Sequence, residues 1–314
     1  MFNIPILILT YNRPKKFLKV LKSLALIKPS KIYISCDGPK NFEDIVKIKN
    51  IRKNISKIRW KCRIYENFHE KNLGIKTGVQ KGIDWFFYNE KMGIILEDDV
   101  VPSKSFFKYS KELLIKFRSN KNICAISGFN YFGKTQFGDG DYFLSKYFLC
   151  WGWASWRRSW LDSNKNFDYW PKWKSSNFLK KIHQDPIEIK YWTKLIDKYY
   201  NKSIVSWDNI FGVSMWKNKS FCVLPNINMI KNIGFDYDAT YGFNKKYKTP
   251  NIIHHNKNIK HPSTLRVNLH ADKVIFNEFY KAKNLLYPWR FFYIIQLIFL
   301  NPDYVINKLI RKLR

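Results

Sequence analysis

Gly93-Ile94-Ile95-Leu96-Glu97-Asp98-Asp99-Val100-Val101-Pro102 decides how the rest of the chain reads. A short apolar run ends in three consecutive acids, and a proline follows. Acids are scarce in this protein, 24 Asp and Glu against 56 Lys and Arg, so three together need a reason. A buried strand cannot carry charges along its length, but its exit can present them to a ligand. Hard divalent cations take carboxylate oxygens, which makes the triplet a candidate cation site. The plain alternative is a polar loop in which Asp99 caps the next turn.

The segments on either side support a strand at Gly93–Leu96. Ile6-Leu7-Ile8-Leu9-Thr10 is a continuous apolar run of the kind buried on both faces of a sheet. Tyr11-Asn12-Arg13-Pro14 breaks it, and Pro14 suits the first turn of a helix that carries Phe17, Val20, Leu21 and Leu24 on one face. Lys31 to Cys36 reads as a second strand ended by Asp37-Gly38-Pro39, and Trp60 to Tyr65 as a third. Ile75, Val79, Ile83 and Phe86 mark a helix whose Gly78 and Gly82 suggest close packing on a sheet. Ser103 caps the helix after the acids, and Ile123 to Ser127 is a fifth strand. Strands alternating with helices predict an α/β three-layer sandwich, Rossmann-like, around a mostly parallel central sheet. Ligands of such sheets bind at the carboxyl ends of the strands. The Thr10–Arg13 loop, Asp37 and the acidic triplet all fall at such ends.

After about residue 128 the rhythm changes and tryptophans crowd in, among them Trp151, Trp153, Trp156 and Trp160. Residues 162–202 read as helical or irregular and polar. A helix-like run begins at Trp207-Asp208-Asn209, and Phe221 to Pro225 reads as a strand. The predicted organisation is a domain over residues 1–245, divided into halves at 1–105 and 106–245, and a basic, amphipathic C-terminal helical extension over 246–314. Within that extension, Phe291 to Leu300 is apolar but shorter than the roughly 18 residues a membrane-spanning helix needs.

With 314 residues, 46% hydrophobic and 18% aromatic, the chain can bury a substantial core and does not have a disordered composition. Its net charge is +32, which favours anionic partners such as nucleic acid, lipid or phosphorylated small molecules. Abundant Lys, Asn and Ile throughout suggest that part of this charge is compositional. Cys36, Cys62, Cys124, Cys150 and Cys222 form no CxxC pair, so buried free thiols in a reducing compartment are expected. The opening residues lack a basic region followed by a long apolar stretch, and no signal peptide is expected.

Five segments in order carry a family resemblance: Pro5 to Arg13, Ser35-Cys-Asp37-Gly38, Asn72-Leu-Gly-Ile-Lys76, Glu97-Asp-Asp99 and Trp207-Asp208. Together they resemble a GT-A-fold glycosyltransferase, with an opening strand similar to bacterial family 2 members. The Glu-Asp-Asp motif and Phe148-Leu-Cys-Trp-Gly-Trp153 are closer to the N-acetylglucosaminyltransferase I type. The likeness covers about residues 3–240. It implies a metal-dependent, inverting transferase that moves GlcNAc or another hexose from a UDP-sugar to a glycan or lipid-linked glycan, such as a lipopolysaccharide or lipooligosaccharide precursor. Asp99 would bind Mn2+ or Mg2+. Thr10, Arg13, Asp37, Lys76, Glu97 and Asp98 would contact the donor nucleotide, with Asp37 on the uracil edge and Arg13 on phosphates or the triplet. Asp208 would be the catalytic base, although the family carries Trp-Asp-Asp where this chain has Trp-Asp-Asn. Asp236 and Asp238 are the fallback.

Trp153 and Trp207 are candidate sugar contacts, because aromatic faces stack on sugar rings, while core packing is the commoner fate of tryptophan. The cationic, apolar tail is expected either to touch an anionic membrane surface or to pack on the domain, which together with the thiols predicts a cytoplasmic protein, peripheral at the inner face of the cytoplasmic membrane. Two alternatives remain. A sugar-phosphate nucleotidyltransferase also uses an α/β sheet and metal carboxylates, but would normally carry a glycine-rich loop after the first strand, which Tyr11–Pro14 lacks. A non-enzymatic binder of nucleic acid or a membrane surface would explain the charge but not the acids, so no specific nucleic-acid partner is expected.

Overall fold

The apolar run Ile6–Thr10 is β1, buried at every position, at the heart of the central sheet of this computed structural model. The structure describes residues 2–163, 167–202, 206–235, 249–255 and 257–282, with isolated positions between 286 and 299. In chain order β1 leads to α1 (Pro14–Ala25), β2 (Lys31–Cys36), α2 (Phe42–Ile55), β3 (Arg63–Phe68), α3 (Gly74–Asn89) and β4 (Met92–Glu97). β5 (Val100–Pro102), α4 (Lys104–Lys116), β6 (Ile123–Ser127), β7 (Tyr142–Ser145) and β8 (Trp153–Trp156) follow. The remainder comprises α5 (Arg157–Leu161), α6 (Trp170–Ser175), α7 (Leu179–Ile182), α8 (Pro186–Tyr200), α9 (Trp207–Lys217), β9 (Phe221–Pro225), β10 (Ile230–Asn232) and α10 (Leu269–Val274), the last running on into a π-helical turn.

Eight strands form the main sheet in the order β3-β2-β1-β4-β8-β6-β9-β7. Its first four strands are mutually parallel. β8 enters antiparallel between β4 and β6, β9 is parallel to β6, and β7 closes the edge antiparallel to β9. Alternation along the strands explains the layers. Ile6, Ile8, Ile32, Ile34, Ile94 and Leu96 join one core with Phe17 of α1, Ile51 of α2 and Phe106 of α4. On the other face, Tyr33 meets Phe86 of α3 edge-on at 5.1 Å. The glycine packing expected in α3 is observed: a Cβ at Gly82 would lie 2.7 Å from Leu9 and from Ser35.

The third strand starts three residues later than its sequence pattern suggests. The Trp60 indole donates to the Pro29 carbonyl at 3.1 Å and holds that residue in the preceding loop. Pairing begins where the Arg63 amide donates to Ser30 O (2.9 Å). Polar Glu66 and Asn67 are tolerated because this strand lies at the sheet edge.

Two compact units divide the chain differently from the expected boundary at 245/246. Residues 1–165 and 205–269 form one, and 166–204 with 270–314 the other. Residues after 248 belong to the first unit for a visible reason: Ile253 N donates to Asn228 O, Asp141 N to Lys260 O, and Val267 bridges Leu144. In the second unit, Trp170 donates to Asp197 (2.8 Å), and the buried His183 lies 2.9 Å from Glu188. Most of the apolar tail, and Asp236 and Asp238, lie outside the described residues. No helix among the described residues is long and apolar enough to cross a membrane. All five cysteines are free; Cys36, Cys124 and Cys222 are buried.

Candidate functional site

Residues from the exits of β1, β2 and β4 line a crevice of about 440 Å³. β1 is followed by β2 on one side and paired with β4 on the other, so the crevice stands where the strand order reverses. In open α/β sheets such a switch point leaves a cleft beyond the strand ends.

Thr10 ends β1, and its Oγ1 donates to Asp98 Oδ2 (2.9 Å). The Tyr11 amide adds a second bond to the same oxygen at 3.3 Å. Arg13 Nη1 donates to Asp98 Oδ1 (3.2 Å) and Asp99 Oδ2 (2.8 Å). The Tyr11–Arg13 loop is thus tied to the triplet by its own donors. From the other side, the Tyr11 hydroxyl and Asn12 Nδ2 reach Asp44 in the first turn of α2, the latter at 2.7 Å. Asp44 also accepts from the Lys40 amide at 3.0 Å. Nothing in the sequence pattern singled out Asp44, because a buried acid in a helical first turn reads as an ordinary capping residue.

Asp37 organises the next loop. Its oxygens accept from the amides of Gly38 (2.9 Å), Leu73 (2.8 Å) and Gly74 (3.0 Å) and from Asn72 Nδ2 (3.1 Å). Four donors fill the acceptor sites of a carboxylate. The geometry therefore uses this side chain to hold the entry of α3, where Gly74 takes a φ of +79°. Asp37 still lines the crevice, whereas Lys76, half-buried in the first turn of α3, does not.

Burial is the first cause that raises all three acids above ordinary carboxylate values. For Glu97, repulsion from Asp99, Asp208 and Asp98 adds to it, opposed by Arg13. Asp98 is pushed up to about 6, with Arg13 and the Thr10 bond acting against burial. Asp99 is raised too, although Arg13 and Lys16 favour its charged form. The cations nearby do not offset the loss of water around three adjacent carboxylates.

The wall over Asp99 comes from far along the chain. β10 pairs antiparallel with β5, and Ile233 N donates to Asp99 O at 2.8 Å. A Cβ at Gly234 would sit 2.2 Å from Asp99 Oδ2, so only glycine fits there without a shift. Asn232, Gly234, Phe235 and Trp151 line the same crevice. Trp151 meets Phe235 at 5.5 Å and Phe129 at 4.6 Å.

The aromatic sugar contacts expected from the sequence are corrected. Trp153 is 1% exposed and Trp207 4%, and neither lines the crevice. They stack on each other at 5.9 Å and pack with Phe148, Trp160 and Phe211. Trp153 points this way because it begins β8, an internal strand whose four positions are all buried. Asp208 sits in the first turn of α9, bonded to the Ser206 hydroxyl and 3.8 Å from Cys150 Sγ. It is not among the residues lining the crevice, but it is near enough for its charge to act on Glu97.

The donor set suits a hard cation held mainly by its ligand. Among the described residues no group of three or more His, Cys, Asp or Glu forms a metal cage. Asp99 presents a carboxylate at the crevice wall, which fits a Mg2+- or Mn2+-type ion that keeps waters and phosphates as its other ligands.

No protein-family model and no curated protein matches the chain. Solved structures do match. HddC from Yersinia pseudotuberculosis aligns over 53% of this chain and 83% of its own, at 9% identity and a TM-score of 0.33. A Bacillus anthracis protein described as a glucose-1-phosphate thymidylyltransferase, in complex with a sucrose, aligns over 76% and 92%, at 9% identity and a TM-score of 0.37. A UDP-glucose pyrophosphorylase complexed with UDP-glucose aligns over 51% and 78%, at 9% identity and a TM-score of 0.32. The glycosyltransferase expected from the sequence is corrected on this finding: of these three, the two whose descriptions name an activity are a glucose-1-phosphate thymidylyltransferase and a UDP-glucose pyrophosphorylase, in line with the alternative reading. At these scores they are distant likenesses in α/β architecture.

Proposed function

We propose that the protein is an enzyme that binds a nucleotide at the β1/β4 crevice and joins it to a sugar phosphate. The observation that carries this reading is the placing of three mutually repelling carboxylates, Asp98 buried and Glu97 and Asp99 half-buried, at the rim of a roughly nucleotide-sized crevice beyond the sheet's switch point. Such a cluster is costly to bury, and a cation with phosphates offsets that cost.

In this reading Asp99 holds the cation, and Asp98 keeps Arg13 and the β1 loop in place. A divalent cation would neutralise phosphate charge and favour departure of pyrophosphate. Arg13 and Lys40 bring positive charge to the phosphates. An oxygen of the sugar phosphate attacks the α-phosphorus of a nucleoside triphosphate. The new P–O bond forms as the bond to the β-phosphate breaks, and pyrophosphate leaves with the electron pair. Burial and the repulsion of Asp99, Asp208 and Asp98 raise the Glu97 carboxyl well above the ordinary carboxylate range. The Tyr11–Pro14 loop lacks a glycine, and Asp44 and Asp98 fix it by hydrogen bonds.

The test is thermal stabilisation by each nucleoside triphosphate with Mg2+, followed by pyrophosphate release with a panel of sugar 1-phosphates. Stabilisation by a triphosphate and release only when a sugar phosphate is present support the proposal. Stabilisation without release rejects the reaction and keeps the nucleotide site. Failure of every nucleotide and nucleotide sugar to stabilise the protein rejects both.

A further inference from the structure

Helix α2 turns an apolar stripe outward. Its buried positions are Asp44, Ile51, Asn54 and Ile55. Phe42, Ile45 and Val46 face solvent instead, 79%, 38% and 45% exposed. Their i, i+3, i+4 spacing puts them on one stripe, which Lys49 and Lys53, both exposed, continue toward the C-terminus. The helix's two acids leave this outer face positive. Glu43 is paired with Lys47 at 2.8 Å, and Asp44 is 4% exposed and bonded inward. Arg52 lies over the Phe68 ring at 4.3 Å, on the same cationic half of the helix.

We infer that the outer face of α2 docks on an anionic lipid bilayer. Phe42, Ile45 and Val46 enter the boundary between headgroups and acyl chains, and Lys49 and Lys53 lie on the headgroup phosphates. A helix with exposed apolar anchors followed by lysines is built for an interface where one side is oily and the rim is negatively charged. The protein's net charge of +32 strengthens the attraction to such a surface. An acidic protein groove would answer the lysines but not a solvent-facing phenylalanine at the helix entry. The position also matters. Lys40, two residues before α2, lines the crevice, and Asp44 holds the crevice residues Tyr11 and Asn12. Docking through α2 would therefore bring the crevice near the bilayer surface, and this holds whichever reaction the crevice performs.

Flotation of the full chain with vesicles tests the inference. The expected result is binding to phosphatidylcholine vesicles carrying about 30% phosphatidylglycerol, release by high salt, and little binding to phosphatidylcholine alone. The combined variant Phe42→Ser, Ile45→Ser, Val46→Ser should lower the bound fraction about tenfold or more, and Lys49→Glu with Lys53→Glu should move release to lower salt. Amide exchange over residues 42–49 of the wild-type chain should slow on the anionic vesicles, a readout that needs no variant to fold. Indifference of the full chain to anionic vesicles overturns the inference. So does wild-type binding by the triple serine variant together with unchanged exchange in α2, which would place the contact elsewhere on the protein.

Discussion

The acidic crevice and the tryptophan cluster both stand out in the sequence, and they have opposite fates. Glu97, Asp98 and Asp99 lie at a strand end and line an open cleft. Trp153, Trp160 and Trp207 lie a short way off, sealed among Phe148 and Phe211. The difference is one of cost. Three adjacent carboxylates lose hydration when buried, so their presence asks for a ligand. Tryptophans gain by burial, so their presence asks for nothing beyond a core. In this protein the acids stand at the cleft, while Trp153, Trp160 and Trp207 are packed in the core.

The strongest way to break the contrast is at Trp153. Trp153→Ala should destabilise the protein by about 3–5 kcal/mol in a denaturant titration while the folded fraction still binds nucleotide. A stable variant that has lost the ligand would return this residue to the site. Asp99→Ala should do the reverse. Its stability should change by no more than about 1 kcal/mol, whereas turnover and Mg2+-dependent stabilisation by nucleotide should fall roughly 10²–10³-fold. Retained metal dependence in that variant would move the cation to another group.

The pH dependence of stability sharpens the comparison next. Asp98 rises from an ordinary carboxylate value to about 6 in the fold, and Glu97 and Asp99 are raised as well. The folded state therefore binds more protons than the unfolded state between about pH 4 and 6, and stability falls as pH rises through that window. Asp98 alone accounts for on the order of 3 kcal/mol of that fall. Thermal melts across this range, with and without Mg2+ and nucleotide, should show the ligand restoring stability above about pH 6. A flat profile would mean the triplet is better compensated than its surroundings indicate. The smallest effect belongs to Trp151, the tryptophan that does line the crevice. Trp151→Ala should weaken nucleotide or sugar-phosphate binding by roughly tenfold, about 1.4 kcal/mol, measured by titration calorimetry.

Much of the first unit was legible because its signals are local. Continuous apolar runs such as Ile6–Leu9 mean strands buried on both faces, and the acids after Leu96 mark a strand exit. The antiparallel entry of β8 between β4 and β6 was not legible, since Trp153–Trp156 carries no signal of its pairing direction. The roles of Asp37 and Asp44 were hidden for a related reason. Their partners, Leu73, Gly74, Tyr11 and Asn12, lie across a helix or a loop in sequence and meet only in the fold. Trp153 and Trp207 were misread as sugar contacts because side-chain chemistry alone cannot tell a wall from an interior.

The pairing of β10 with β5 has an evolutionary consequence. The four parallel strands β1–β4 and the three acids come from the first third of the chain, but the surface facing Asp99 is supplied by residues 232–235, beyond the last strand of the main sheet. Because that short stretch lies outside the main sheet, its side chains other than Gly234 could be exchanged without disturbing the strands that carry the carboxylates proposed to hold the cation. Under the proposed function, ligand preference and chemical competence would thus be encoded in separately inheritable pieces of one chain.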